Sequence, residues 1–170
     1  TIPLFLSHPH PCSYLDGRLA QSLFVNPGFR MTPSIYAQLL AQGFRRSGDD
    51  VYAPQCAGCS ACIPARLDVS RFKASRSQKR CLKKNANTQA VIKPAEFEQS
   101  HYEMYLRYQD FRHQDGSMAH SSPEEYFYFL GSSWCNTHFI EFSIEGELAC
   151  VAVVDQCDQA WSAVYTFFEP

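Results

Sequence analysis

The sequence predicts a mixed α/β fold of the α+β kind, with short helices and strands interleaved first and strands dominating later. Helix-opening signatures recur along the chain: Thr32-Pro33, Ser75-x-x-Gln78 and Ser122-Pro123-Glu124-Glu125 each place a capping hydroxyl ahead of a helix-forming run. Toward the C-terminal end, residues 137–144, 148–155 and 161–168 read as strands, running back and forth between turn residues.

In chain order, residues 18–25 form a strand leading into the Asn26-Pro27-Gly28 turn. Thr32-Pro33 opens a helix with proline in its tolerated first position; Ile35, Leu39 and Leu40 stripe it, and Gly43 closes it. Phe44 to Pro54 reads as a hairpin about Ser47-Gly48-Asp49-Asp50, and Ile63 to Val69 as a further strand. A second helix follows over Ser75 to Asn85, then a short strand at Ala90 to Lys93. Phe97, His101, Met104, Tyr108 and Phe111 recur at helical spacing across 95–113. The aromatic run after Ser122 is helical and ends at Gly131. A boundary near 93–95 divides the chain into an N-terminal region, 1–94, and a C-terminal region, 95–170.

With 170 residues, 45% hydrophobic and 19% charged, the chain is an ordinary globular sequence with room for one good-sized domain or two small ones. No apolar run approaches the ~18 residues of a membrane span. The apolar patch at Ile2–Leu6 lacks a preceding basic segment and is interrupted by Pro3, so it does not read as a secretory signal. Three of the eight cysteines are spaced three apart, which favours a metal or reduced thiols over bridging and predicts a reducing cytosol. The net charge of -2 gives no global reason to expect nucleic acid.

Local clustering does give one. Residues 69–95 hold Arg71, Lys73, Arg76, Lys79, Arg80, Lys83, Lys84 and Lys93, over half of the chain's 15 basic residues, without one acid. Arg76, Lys79, Arg80, Lys83 and Lys84 share one helix face, a stripe that repels itself unless an anion neutralises it. A solvated face is the alternative, but the lack of interleaved acids favours a phosphate backbone. Cys56-x-x-Cys59-x-x-Cys62 is the second constellation. Its thiolates, with Cys12, His8 or His10 as fourth ligand, could close a zinc or iron–sulfur site, or pack in a turn-rich loop. His113, near a helix end and just before Asp115-Gly116, either lines a pocket or caps the helix. Neither a nucleophile elbow nor a glycine-rich phosphate loop is visible, which favours chemistry without a covalent enzyme intermediate.

Several ordered motifs then point to a family. His8-x-His10-Pro11-Cys12-Ser13-Tyr14-Leu15, Gly43-Phe44-Arg45-Arg46-Ser47-Gly48, Val51-Tyr52-x-Pro54 and Ser75-Arg76-Ser77-Gln78-Lys79-Arg80 resemble the N-terminal region of the aspartate/glutamate leucyltransferases. These are bacterial relatives of eukaryotic arginyl-tRNA–protein transferase. Tyr108-Gln109, the Ser122–Leu130 helix, Val153-Val154-Asp155 and Ser162 to Pro170 resemble their C-terminal region. The resemblance implies a second half similar to the acetyltransferase (GNAT) fold. Because family members continue past Glu169-Pro170, that half is expected to lack part of its sheet and active site, which would leave this truncated chain weakly active or inactive.

The resemblance also implies a reaction: leucine, or arginine, passes from charged tRNA to a protein whose N-terminal residue is Asp or Glu, marking it for degradation. Its partners would be aminoacyl-tRNA, leucyl-tRNA above all, and such proteins, with no DNA and no membrane. Aminolysis of an already activated ester needs no cofactor. Lys73, Arg76, Lys79, Arg80, Lys83 and Lys84 are the expected tRNA contacts, and Cys12, Cys56, Cys59 and Cys62 the expected metal ligands. Eukaryotic relatives carry a second cysteine where this chain has Leu15, and an adjacent Cys-Cys pair in place of the spaced triplet. Asp155, ending an apolar strand where a lone carboxylate is costly to bury, and Tyr165, on the next strand, are expected with His113 at the reaction centre. Two rivals compete. A coenzyme-A-dependent GNAT acetyltransferase would need an R/Q-x-x-G-x-G/A loop that these residues lack. A non-catalytic metal-knuckle RNA-binding module would leave residues 95–170 without a purpose.

Overall fold

The computed structural model describes every residue except 114–117 and 119, so the Asp115-Gly116 neighbourhood of His113 lies outside the described residues. The N-terminal region is built on a four-stranded antiparallel sheet in the order β1 (Leu4–Leu6), β4 (Ser22–Val25), β6 (Asp50–Pro54), β5 (Arg45–Ser47). β2 (His10–Pro11) and β3 (Leu19–Ala20) pair beside it, so the strand expected over 18–25 is two short ones. Helix α1 (Pro33–Ala41) starts where Thr32 predicts, its hydroxyl accepting from the Ile35 N–H.

The hairpin of β5 and β6 turns at Gly48, whose φ of 59° suits glycine. A side chain there would also meet the Tyr128 carbonyl at 2.7 Å. The Gly48 N–H donates to the Phe129 carbonyl at 2.9 Å, so this tight turn is pinned to the other half of the molecule.

Residues 63–69 form no strand, contrary to the sequence reading. Ile63 is 82% exposed, and the only regular element nearby is a short 3₁₀ turn over Val69–Arg71, capped by Asp68. Apolar composition does not make a strand without a neighbour to complete its ladder, and Pro64 removes one donor. Helix α2 (Arg76–Lys84) has the expected capping box, with Ser75 and Gln78 each bonding the other's backbone, and every residue in it is exposed.

The second sheet is antiparallel, in the order β7 (Gln89–Pro94), β8 (Asn136–Ile144), β9 (Glu147–Cys157), β10 (Ala160–Phe168). Helices α3 (Gln99–His113) and α4 (Pro123–Leu130) cover one face. Met104 and Tyr105 of α3 and Tyr126 and Leu130 of α4 meet Phe139, Val151, Val153 and Phe167 there, all essentially inaccessible to water. The helical stripe is rotated from the sequence reading: His101, Met104, Tyr105 and Gln109 are buried, whereas Phe111 is exposed. β7 belongs to this sheet although it precedes residue 95. A second core of Val25, Met31, Tyr36, Leu39 and Val51 includes Cys157 from β9. In β10, Ala163 pairs with Val154 and Tyr165 with Val153, leaving Val164 as a bulge residue.

Candidate active site

Alternation along β5 sends Arg46 inward, and a guanidinium can be buried only if its donors are met. They are. Nε and Nη2 grip the Asp155 carboxylate at 2.6 and 2.7 Å, and Nη2 also reaches the Thr137 hydroxyl at 3.1 Å. The carbonyls of Gly48, Gly131 and Leu130 accept from Nη1 and Nη2 at 2.7–3.1 Å. Thr137 in turn donates to Asp155 Oδ1 at 2.7 Å. Both charged side chains are 0% exposed. The pair bolts the N-terminal hairpin to the second sheet.

Against this bolt lies a cavity of about 300 Å³, lined by Tyr14, Tyr36, Arg45, Arg46, Ser162, Tyr165 and their neighbours on the β10 bulge. Tyr165 accepts from Gln109 Nε2 at 2.9 Å, which leaves its own proton to donate. Burial raises its pKa, only partly offset by Gln109, so it stays a neutral phenol at physiological pH. Burial, followed by the Asp155 charge, pushes the Tyr36 hydroxyl upward as well. The cavity therefore offers neutral hydroxyls and one cation with free donors, suited to holding polar substrate groups rather than to supplying a strong base.

The structure corrects the expected role of Asp155. Its carboxylate is closed by Arg46 and Thr137 and does not line the cavity, so it cannot meet an acceptor amine without breaking the bolt. Tyr165 does line the cavity. His113 does not: it stands exposed at the end of α3, its ring edge-on to Tyr108. Arg45, Arg46 and Tyr36 had no role assigned from sequence. The only sequence signal for the arginines is their place in the Gly43–Gly48 motif.

Cys12, Cys56, Cys59 and Cys62 all line a second cavity, of about 480 Å³, which shares Tyr14 and Arg45 with the first. Lining one cavity is as far as their grouping goes. Among the described residues, only Glu98, His101 and Glu141 bring three ligand atoms within 4.8 Å of one another, so the sulfurs do not form a shell of metal-binding size. Cys56 is turned toward the Gln21 backbone, its sulfur accepting from the N–H at 3.4 Å and facing the carbonyl at 3.6 Å. The donor type and the room suit a soft metal or cluster; the spacing does not form a coordination shell. The Glu98–His101–Glu141 group already holds the Lys93 ammonium, 2.9 and 2.7 Å from its two carboxylates.

Lys93 is thus tied down, whereas Lys73, Arg76, Lys79, Arg80, Lys83 and Lys84 are exposed and enter no ion pair among the described residues.

Two partly buried carboxylates, Asp49 and Glu141, predict an acid-sensitive fold. Burial alone would raise Asp49, but Ser133 and Ser132 donate to it at 2.6–3.1 Å and hold it below its usual range. Burial would likewise raise Glu141, yet Lys93 and His101 more than offset it. Depressed carboxylates contribute stability that is present above their unfolded pKa, about 4, and lost as pH falls through the folded value. Denaturant midpoints should therefore hold from neutrality to about pH 5 and fall below about pH 4. Asp49→Asn should flatten that fall, and an equally steep acid limb in the variant would refute the assignment.

Comparison with known proteins places the chain. Residues 10–80 match the family model for the N terminus of arginine-tRNA-protein transferase, and residues 100–170 match that for its C terminus. The fold and both matches define the class: an aminoacyltransferase that moves an amino acid from tRNA to a protein. An aspartate/glutamate leucyltransferase of Saccharophagus degradans is 44% identical over 170 residues, 99% of this chain and 72% of that protein. Relatives of the same name from Alcanivorax borkumensis and Marinobacter nauticus are 45% and 42% identical, each over 100% of this chain and 70% and 72% of their own. The chain belongs to the aspartate/glutamate leucyltransferase family.

Proposed function

We propose that the protein transfers leucine from leucyl-tRNA to the α-amine of proteins that begin with Asp or Glu, marking them for degradation in the cytoplasm. The names of its relatives support the donor and the acceptor. The observation in the molecule that carries the reading is the exposed basic helix α2, whose cations enter no ion pair among the described residues. Lys73, Arg76, Lys79, Arg80, Lys83 and Lys84 would lie along the phosphate backbone, gaining affinity by counterion release.

In the reaction the acceptor α-amine attacks the aminoacyl carbonyl carbon, the C–N bond forms, and the ester C–O bond breaks. The tRNA 3′ oxygen leaves with a proton that the amine gives up. Because the ester is already activated, the protein's task is to place amine and carbonyl within reach and to relay that proton. The cavity beside the β10 bulge is the place for the aminoacyl end, with the Tyr165 hydroxyl orienting a reacting group. Asp155 acts one step back, as the positioning residue that fixes Arg46 and the wall it forms. Cys12, Cys56, Cys59 and Cys62 are the residues that would hold zinc or an iron–sulfur cluster, which would supply a cross-link between the segments around residues 12 and 56–62.

The β7-α3-α4-β8-β9-β10 order supports a GNAT-like second half, which keeps a coenzyme-A-dependent rival in view. Thermal shift separates the two. Leucyl-tRNA should raise the melting temperature and coenzyme A should leave it unchanged; the reverse pattern would favour the acetyltransferase.

A further inference from the structure

The acceptor's reacting amine sits three or four bonds from a side-chain carboxylate, and a carboxylate taken out of water needs a cation or several donors. The transfer cavity contains two cations, Arg45 and Arg46. Arg46 cannot serve. Its guanidinium is inaccessible and each of its nitrogens already donates, to Asp155, Thr137 and three backbone carbonyls.

Arg45 is different in every respect. As the preceding residue on β5 it is exposed, and it enters no ion pair or side-chain hydrogen bond among the described residues. Its guanidinium lies over the Tyr52 ring, 5.2 Å from the centroid, which restrains the fork without using its N–H groups. Tyr52 is the cross-strand partner of Arg45 on β6, so the stacking follows from the register of the hairpin. Arg45 also borders the cysteine-lined cavity, which places it where the two cavities adjoin.

We propose that Arg45 reads the acidic side chain of the acceptor, its free fork pairing with the Asp or Glu carboxylate while the amine faces the aminoacyl carbonyl. The inference rests on the transfer reading above and assigns acceptor choice to one residue of that site. A planar guanidinium can grip a carboxylate through two parallel bonds, whereas a lysine at the same place offers a single point charge.

The test uses the protein extended to the length of its relatives, leucyl-tRNA and short peptides beginning with Asp, Glu, Asn or Gln. Arg45→Ala should lower kcat/KM for the Asp and Glu peptides by about 10- to 100-fold, the usual scale for losing a charge-assisted hydrogen bond. The Asn and Gln peptides, which carry no charge for the guanidinium to pair, should lose much less, so discrimination collapses. Arg45→Lys should recover part of it, and leucyl-tRNA affinity should stay within about twofold. An unchanged preference for Asp over Asn in Arg45→Ala overturns the assignment. So does an equal loss for all four peptides with weaker tRNA binding, which would place Arg45 on the nucleic acid. A wild-type protein of the relatives' full length that binds leucyl-tRNA yet transfers leucine to none of the peptides overturns the transfer reading itself.

Discussion

Asp155→Ala should lower the unfolding free energy by about 3–5 kcal/mol, the scale for removing one partner of a buried ion pair. The cause is what remains behind. Arg46 would keep its charge in a site closed to water, and Thr137 would lose the acceptor for its hydroxyl. Since a domain of this size has about 5–15 kcal/mol in hand, the variant could lose its fold at ordinary temperature. The paired replacement Arg46→Met with Asp155→Leu tests the cause independently, because it removes both charges together. It should denature closer to wild type than either single variant does, giving a large coupling energy in a double-mutant cycle. Additive single effects would show that the pair does not act as a unit.

Reversing two charges on α2, Arg80→Glu with Lys83→Glu, should leave stability nearly unchanged, within about 0.5 kcal/mol, because both positions are exposed and the substitution relieves like-charge repulsion. Binding should respond strongly. Each lost phosphate contact removes about 0.7–0.9 from the slope of log affinity against log salt, so two contacts flatten it by about 1.4–1.8. Affinity for leucyl-tRNA at low salt should fall at least about tenfold. An unchanged salt slope would mean that α2 faces solvent and that the phosphate contacts lie elsewhere.

Locally encoded features were readable before the fold was known. The capping hydroxyls of Thr32, Ser75 and Ser122 each accept from the N–H three positions on, so the starts of α1, α2 and α4 follow from sequence alone. The same holds for the Glu145-Gly146 turn and the strands on either side of it. What failed depends on distant partners. The stretch 63–69 has strand composition but no neighbour to pair with. Asp155 was read as costly to bury unless paired, which is correct chemistry, but its partner lies 109 residues away. A strand register cannot announce such a partner, so the carboxylate looked available for catalysis. Arg45 and Arg46 are adjacent and identical in type. Only the pleat, which turns one inward to Asp155 and leaves the other at the cavity rim, separates a structural cation from a free one.

The central claim is leucine transfer onto acidic N-termini, and single-turnover transfer measures it most directly. The protein, extended to the length of its relatives and in excess, would be mixed with tRNA carrying labelled leucine, or labelled arginine, and a peptide beginning with Asp or Glu. The account predicts that label from leucyl-tRNA moves to the peptide α-amine and that arginine moves far more slowly. Tyr165→Phe should slow the step while leaving leucyl-tRNA affinity intact, as expected for a group that acts on the reacting atoms. Wild-type rates in Tyr165→Phe would remove that hydroxyl from the mechanism. Transfer from arginyl-tRNA in preference to leucyl-tRNA, or label left on tRNA with both donors, would contradict the account.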